Sequence, residues 1–134
     1  HEQAALNELL RAEDLEALEP YDEVRQPRVA SFEADSATLT RKSRTYIDAL
    51  VDTLRPRGEQ VLSLEGHAHD AGVNFGYSAA RLASARARAV ASYLIDEHGF
   101  DPTRVRAKAW FAEIEDGAAR ARGVDARLII PSSN

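Results

Sequence analysis

The sequence predicts an α/β fold of the α+β sandwich type, with its elements in the order β-α-β-α-β-β. Two stretches, 40–54 and 79–98, carry apolar residues at the 3.6-residue period of an amphipathic helix. Short apolar runs bounded by Gly, Pro or Asp lie before, between and after them. Because strands joined through helices of this length usually run parallel, we expect a mixed, mainly parallel sheet with both helices packed on one face.

The first half of this pattern predicts a strand at 28–32 and a helix that begins after Thr40, a good N-cap residue. Pro56 and Gly58 should end that helix. The residues expected on its buried face are Tyr46, Ile47, Leu50, Val51 and Leu54.

The second half begins with a strand at 60–64, followed by a polar loop at 66–78. The second helix should extend from Ala79 to His98, with Gly99 as its C-cap. Its buried side is expected to comprise Leu82, Ala85, Ala89, Val90, Tyr93 and Leu94. Two further strands are expected at 104–110 and 126–130.

An extra helix is predicted at 2–19, which divides the chain into an N-terminal helix or linker at 1–22 and one domain at 23–134. The helix is either a linker or an added element lying on the domain. Its apolar stripe (Leu6, Leu9 and Leu10, with Leu15 and Leu18 as further candidates) also offers a seam for a homodimer. Because the chain lacks Met and begins at His1, we expect a preceding part that tethers the domain.

Composition excludes several classes of function. The net charge is −5, with −7 on residues 1–78 and +2 on residues 79–134, and no Lys/Arg cluster is present. Such a chain repels phosphate backbones, so we expect no nucleic-acid partner. No run of 18 apolar residues indicates a membrane span, and the absence of Cys excludes thiol chemistry.

The most informative stretch is 65–90, in which a strand, a polar loop and the start of a helix follow one another. The loop contains two His and Asp70, and the helix carries Arg81, Arg86 and Arg88. An acid and a base at such a junction predict a pocket for a ligand that bears both charges. No catalytic triad, paired carboxylates or phosphate loop is present, so we expect a binding module rather than an enzyme, without a cofactor.

A metal site is the weaker interpretation of the same loop. His67, His69 and Asp70 could place two imidazoles on one side of a strand end. A third or fourth ligand would have to come from His98, at the far end of a helix. We therefore expect no metal.

Five signals in order lie between residues 24 and 130. They are Phe32-Glu33-Ala34-Asp35-Ser36-Ala37 with Leu39, Glu65-Gly66-His67, Leu82-Ala83-Ser84-Ala85-Arg86-Ala87 with Val90, Gly99-Phe100-Asp101-Pro102-Thr103-Arg104-Val105, and Arg127-Leu128-Ile129-Ile130. Together they resemble the OmpA-like domain, the peptidoglycan-binding module found in the peptidoglycan-associated lipoprotein and in flagellar stator and motor-associated proteins.

The resemblance implies non-covalent binding to diaminopimelate of the peptidoglycan stem peptide. In the family, an Asp after the "G-H" strand end and the Arg of the "R-A" motif bind this ligand, and Arg86 matches the Arg. Diaminopimelate carries an ammonium and a carboxylate on one carbon, which suit an Asp and a planar Arg respectively. The resemblance further implies a periplasmic location in the bacterial envelope, associated with the outer or inner membrane.

Two residues compete for the acid position. The third residue after Gly66 is His69, where the family has its Asp, and Asp70 follows one residue later. Either a one-residue bulge brings Asp70 into place, or His69 occupies the position and weakens ligand binding. Asn74, Tyr77 and Ser78 are further candidate ligand-binding residues, since they stand near the family's "Y-N" position.

Two functions follow as expectations. The first is a module that anchors an envelope protein or machine to peptidoglycan, with envelope or motor proteins as further partners. The second is the same fold with a degenerate pocket, which serves as a structural or assembly module. In the second case Arg86 would pair with Glu65 or Asp70 to clamp the fold.

Overall fold

The computed structural model describes residues 21–68, 79–109 and 122–131. Within them the chain forms four strands and two helices, in the order predicted from the sequence. They are β1 (Tyr21–Ser31), α1 (Arg41–Leu54), β2 (Val61–Gly66), α2 (Ala79–His98), β3 (Val105–Ala109) and β4 (Gly123–Pro131), with a short 3₁₀ turn at Pro102–Arg104. The helix predicted at 2–19 lies outside the described residues.

The strands form one sheet in the order β1-β4-β2-β3. β4 pairs antiparallel with both β1 and β2, while β2 and β3 are parallel. The three strands that precede β4 therefore run in one direction, as the helical connections predicted. The mixed α/β fold is confirmed, and the last strand is inserted antiparallel into the middle of the described sheet.

β1 is longer than the strand expected at 28–32. It begins at Tyr21 and pairs with β4 from Tyr21 to Gln26, then again at Ala30 and Ser31. The register shifts between Gln26 and Ala30, where Pro27 cannot donate a ladder hydrogen bond and Arg28 has a φ of +48°. The strand therefore continues on both sides of this irregularity.

α1 begins as predicted, because the Thr40 side chain accepts a hydrogen bond from the backbone N–H of Ser43. The buried Ser43 hydroxyl also ties the helix to β1: it accepts from Ser31 N at 3.0 Å and donates to Ser31 O at 3.1 Å. Ile47, Val51 and Leu54 are buried in the core. Tyr46 was expected there but is 45% exposed, since it lies at the edge of the helix's apolar stripe.

α2 has the predicted limits and ends at Gly99, whose φ of +67° suits a glycine C-cap. Its buried residues are Leu82, Ala83, Arg86, Ala87, Val90, Ala91 and Leu94. The helix approaches β2 so closely that a Cβ on Gly66 would overlap the carbonyl oxygen of Ala83. Glycine at the end of β2 is therefore a packing requirement.

The two helices are also joined at the surface, through Asp48 on α1. Its Oδ1 accepts a hydrogen bond from the Tyr93 hydroxyl at 2.6 Å and lies 2.7 Å from Nε2 of His98. These hydrogen bonds, first from Tyr93 and then from His98, lower the pKa of the Asp48 carboxyl below its usual 3.8. The same contact raises the pKa of the Tyr93 phenol above 10.0.

The close approach of α2 to β2 predicts a severe effect of one added methyl group. Gly66→Ala should lower the free energy of unfolding by about 3 kcal/mol, because backbone atoms cannot move aside as a flexible side chain would. Gly58→Ala is the control: that site has open space and only the strain of its positive φ, about 1 kcal/mol. Urea unfolding measures the free energy of unfolding of both variants, and equal losses in Gly66→Ala and Gly58→Ala would contradict this interpretation of Gly66.

Asp48 should stabilise the protein only at pH values where it is ionised. Because folding lowers its pKa, its contribution is complete above about pH 5 and is lost as the pH falls below about 4. The stability difference between the wild type and Asp48→Asn should therefore be constant from about pH 6 to 5 and shrink toward pH 3. Urea unfolding of both proteins at each pH measures this stability difference, and Asp52→Asn on the same helix is the control. A difference that does not change with pH would refute the prediction.

Candidate functional site

The centre of the candidate site is Arg86, on the second turn of α2, which is 1% exposed. Its guanidinium donates to three backbone carbonyls: Nε to Ser36 at 2.8 Å, Nη1 to His67 at 3.0 Å and Nη2 to Glu33 at 3.1 Å. The guanidinium carbon lies 5.5 Å from the centre of the Phe32 ring. One side chain thus joins α2, the end of β2 and the connection between β1 and α1.

The connection from β1 to α1 is folded so that its carbonyls can reach Arg86. Ser36 N donates to Glu33 O at 3.2 Å and so closes a turn. Asp35 within that turn has a φ of +57°, a conformation that Asp and Asn adopt more readily than most residues. The Ser36 hydroxyl accepts from Thr38 N at 3.1 Å. Asp35 and Ser36, from the first sequence motif, therefore shape the loop whose carbonyls accept hydrogen bonds from Arg86, in the third motif.

His67, directly after β2, is the second buried polar residue of the site, at 3% exposed. Its backbone N–H donates to Gly123 O at 2.9 Å, and its Nε2 lies 3.1 Å from Oδ2 of Asp125. Oδ1 of Asp125 accepts from Arg28 N at 2.7 Å. His67 therefore fixes the strand end to β4, and its carbonyl is thereby placed for Arg86.

The electrostatic environment of Arg86 is unusual for a cation. Burial is the main cause that lowers the pKa of its guanidinium below the usual range, the charge of Arg122 lowers it further, and the charge of Asp35 opposes both. Arg122 is exposed at the start of β4, and its carbonyl accepts from Phe32 N at 2.7 Å. Two guanidinium groups thus influence one another at this end of the sheet, a setting that favours a bound carboxylate.

The sequence analysis did not identify Arg122 as a site residue, because it follows a polar stretch with no pattern that links it to Arg86. The only signal was its place shortly before the Arg127 strand motif. Arg86 lies where the sequence analysis placed it, at the junction of strand, loop and helix. The other five candidate residues, His69, Asp70, Asn74, Tyr77 and Ser78, lie outside the described residues.

Of the two acids expected as partners of Arg86, Glu65 is not one, and Asp70 lies outside the described residues. Side chains alternate along β2, so Glu65 points to the face of the sheet opposite α2. There its Oε2 accepts from Arg127 Nε at 2.8 Å and lies 2.7 Å from Arg127 Nη2. Arg86 instead clamps the fold through backbone carbonyls.

In residues 21–68, 79–109 and 122–131, no three His, Asp or Glu side chains converge on a site that could hold a metal ion. Over the same residues, no helix has the length and apolar character needed to cross a bilayer.

A profile of the OmpA family matches residues 31–128. The chain belongs to the OmpA family. Its matched region contains every described residue of the Arg86 site except Arg28. A search of curated proteins finds no match.

Solved structures share the fold at low sequence identity. The periplasmic domain of MotB (residues 64–256) has a TM-score of 0.64 at 15% identity over 85% of this chain and 65% of its own length, so this chain spans less than two thirds of that domain. A putative MotB-like protein from Desulfovibrio vulgaris has a TM-score of 0.61 at 14% identity, and the match covers 98% of this chain and 90% of that protein's chain. The peptidoglycan-associated lipoprotein from Burkholderia pseudomallei has a TM-score of 0.53 at 19% identity, and the match covers 75% of this chain and 86% of the lipoprotein's chain.

The geometry predicts that Arg86 cannot be replaced by another cation. Arg86→Lys should lower the free energy of unfolding by roughly 2–4 kcal/mol, because an ammonium cannot point at three carbonyls on two segments and is left buried with fewer partners. Arg88→Lys on the exposed side of the same helix should change it by less than about 0.5 kcal/mol. Urea unfolding of both variants tests this, and an Arg86→Lys protein as stable as the wild type would disprove the clamp.

Proposed function

We propose that this protein binds peptidoglycan without covalent chemistry, through the diaminopimelate of the stem peptide, and so anchors an envelope protein or machine to the cell wall. The observation that carries the proposal is the buried Arg86 guanidinium, which lies at the end of β2 within the electrostatic influence of Arg122 in an OmpA-family domain. Its cellular location would be the periplasm or cell envelope.

The chemistry of the site supports a ligand carboxylate. The guanidinium of Arg86 donates to the carbonyls of Glu33, Ser36 and His67. These bonds hold the plane of the group in one orientation, which lowers the entropic cost of binding a planar carboxylate. The nearby positive charge of Arg122 adds long-range attraction.

The ligand's ammonium requires an acid, and we assign that role to Asp70. The chain leaves β2 at His67 and re-enters the described structure at Ala79, at the start of α2, so both ends of the loop are anchored near Arg86. His69 is the competing residue, and Asn74, Tyr77 and Ser78 would supply further polar contacts. Envelope or motor proteins remain proposed partners, as does a homodimer.

One observation favours a second function. Because Arg86 is 1% exposed and bonds to three backbone carbonyls, its role is explained without any ligand. The domain would then be a structural or assembly module with a degenerate pocket. Arg86 variants alone cannot separate the two functions, since both predict a loss of stability.

Co-sedimentation with purified sacculi separates them. We expect the wild type to pellet with sacculi and Asp70→Asn to remain in solution. A charged contact of this kind contributes roughly 2–5 kcal/mol to binding. His69→Ala should still pellet, and the reverse result would place His69 in the acid position. If the wild type itself stays in solution, the structural function replaces the anchoring function.

Arg122 provides a variant that should remain folded, because its side chain is exposed. Arg122→Ala should weaken sacculus binding several-fold and reduce its dependence on salt, as expected for a charge at the rim of a site. Arg88→Ala is the matched control on the outside of α2. Free meso-diaminopimelate should displace the wild type, whereas cadaverine, which keeps both amines and has neither carboxylate, should not.

A further inference from the structure

The sheet has a second face whose burial the described elements do not explain. Core side chains of β2 and β4, namely Leu62, Leu64, Ala126 and Leu128, point toward α1 and α2. Because side chains alternate along a strand, Ser63, Glu65, Arg127 and Ile129 point the other way. We call the surface formed by these four residues the outer face.

The outer face is shielded from water. Ser63 and Ile129 are 0% exposed, Glu65 is 5% exposed and Arg127 is 6% exposed. Polar side chains could shield one another, but an isoleucine with no exposed surface requires apolar atoms packed on it. Both described helices lie on the opposite face, so neither of them supplies this cover.

A buried ion pair on the outer face also indicates that water is excluded there. Arg127 binds Glu65 through Nε and Nη2, and its Nη1 lies 3.3 Å from Glu23 Oε1. On the neighbouring strand β3, Nζ of Lys108 lies 3.9 Å from Oε2 of Glu65. Such a network loses solvation when it is covered, and the pairing of Arg127 with Glu65 and Glu23 offsets part of that loss.

The position of Ile129 points to one segment. Ile129 pairs with Glu23, and Tyr21 pairs with Pro131, so this end of the sheet is where the chain enters β1. The segments 69–78 and 110–121 are both attached at the opposite end, where Gly66 pairs with Ala109 and with Val124. Residues 132–134 are three short polar residues and cannot cover an isoleucine.

We propose that residues 2–19 of the same chain form a helix that packs its leucine stripe on the outer face. Such a helix would be about 27 Å long, close to the roughly 30 Å length of β4. The stripe of Leu6, Leu9 and Leu10 supplies the apolar atoms that Ile129 requires. The segment carries six acids and one base. On this side of the sheet the cations Arg25, Arg106, Lys108 and Arg127 outnumber the acids Glu23, Glu65 and Asp125, so the acidic segment would meet a small excess of positive charge.

Docking in this manner has a consequence for assembly. A stripe that is buried against its own sheet is not available as a seam between two chains. Residues 2–19 would then be a fixed third layer of the domain, with the helices α1 and α2 on one side of the sheet and this helix on the other.

Cysteine reporters in the full chain can test the proposal, since the protein contains no Cys of its own. Ile129→Cys places a thiol on the outer face, and Leu128→Cys places one on the helix face of the same strand. Each is combined with Leu10→Asp, which disrupts the stripe, or with Asn7→Asp, which adds the same charge beside it. Labelling by dithiobis(nitrobenzoate) is followed over time.

We expect Leu10→Asp to accelerate labelling at position 129 roughly tenfold or more, because one buried leucine shifts a docking equilibrium by at least that factor. Labelling at position 128, and labelling of either reporter with Asn7→Asp, should not change. No acceleration at position 129 would assign the cover to another segment and overturn the proposal. Equal acceleration at both positions would indicate general destabilisation and also overturn it.

The remaining alternative is that a second copy of the chain covers the outer face. The dependence of labelling on protein concentration tests it. If residues 2–19 cover their own sheet, labelling at position 129 does not depend on concentration. Labelling that slows as the concentration rises, together with a dimer in analytical ultracentrifugation, would show that a second copy covers the outer face and would overturn the proposal.

Discussion

One buried guanidinium connects the parts of this domain that sequence order keeps apart. Arg86 donates to carbonyls at Glu33, Ser36 and His67, so α2, the end of β2 and the loop before α1 are held at a single point. Its burial lowers the pKa of the group but leaves it a cation at neutral pH, because an arginine pKa lies far above 7. A buried charge of this kind is stable only when its donors are satisfied, so the geometry of the three segments follows from it.

The same constraint explains why two sequence motifs far apart in the chain belong together. The turn around Asp35 exists to present two carbonyls, and Gly66 is required because α2 must approach the sheet closely enough for Arg86 to reach them. Binding and folding are therefore not separable at Arg86. A ligand carboxylate would meet a guanidinium that is already oriented by the fold, with Arg122 close by on the solvent side.

The two faces of the sheet differ in what stabilises them. The face toward α1 and α2 is an apolar core that includes Leu62, Leu64 and Leu128. The outer face contains the ion pair of Glu65 and Arg127 around Ser63, and it is nearly as well shielded from water. A charged pair contributes little to stability at a surface and is costly when it is buried with poor geometry. Its value here would be to specify which segment covers that face.

The sequence by itself determined the order of the elements, the limits of both helices, their caps at Thr40 and Gly99, and the family, because periodicity and capping are local properties of the chain. It also placed Arg86 at the site. Only the tertiary structure decided what Arg86 contacts, that Glu65 belongs to Arg127, that β4 lies between β1 and β2, and that Arg122 acts on the site. These depend on contacts between residues distant in sequence, and neither spacing nor residue type records which face of a strand or which carbonyl a long side chain will reach.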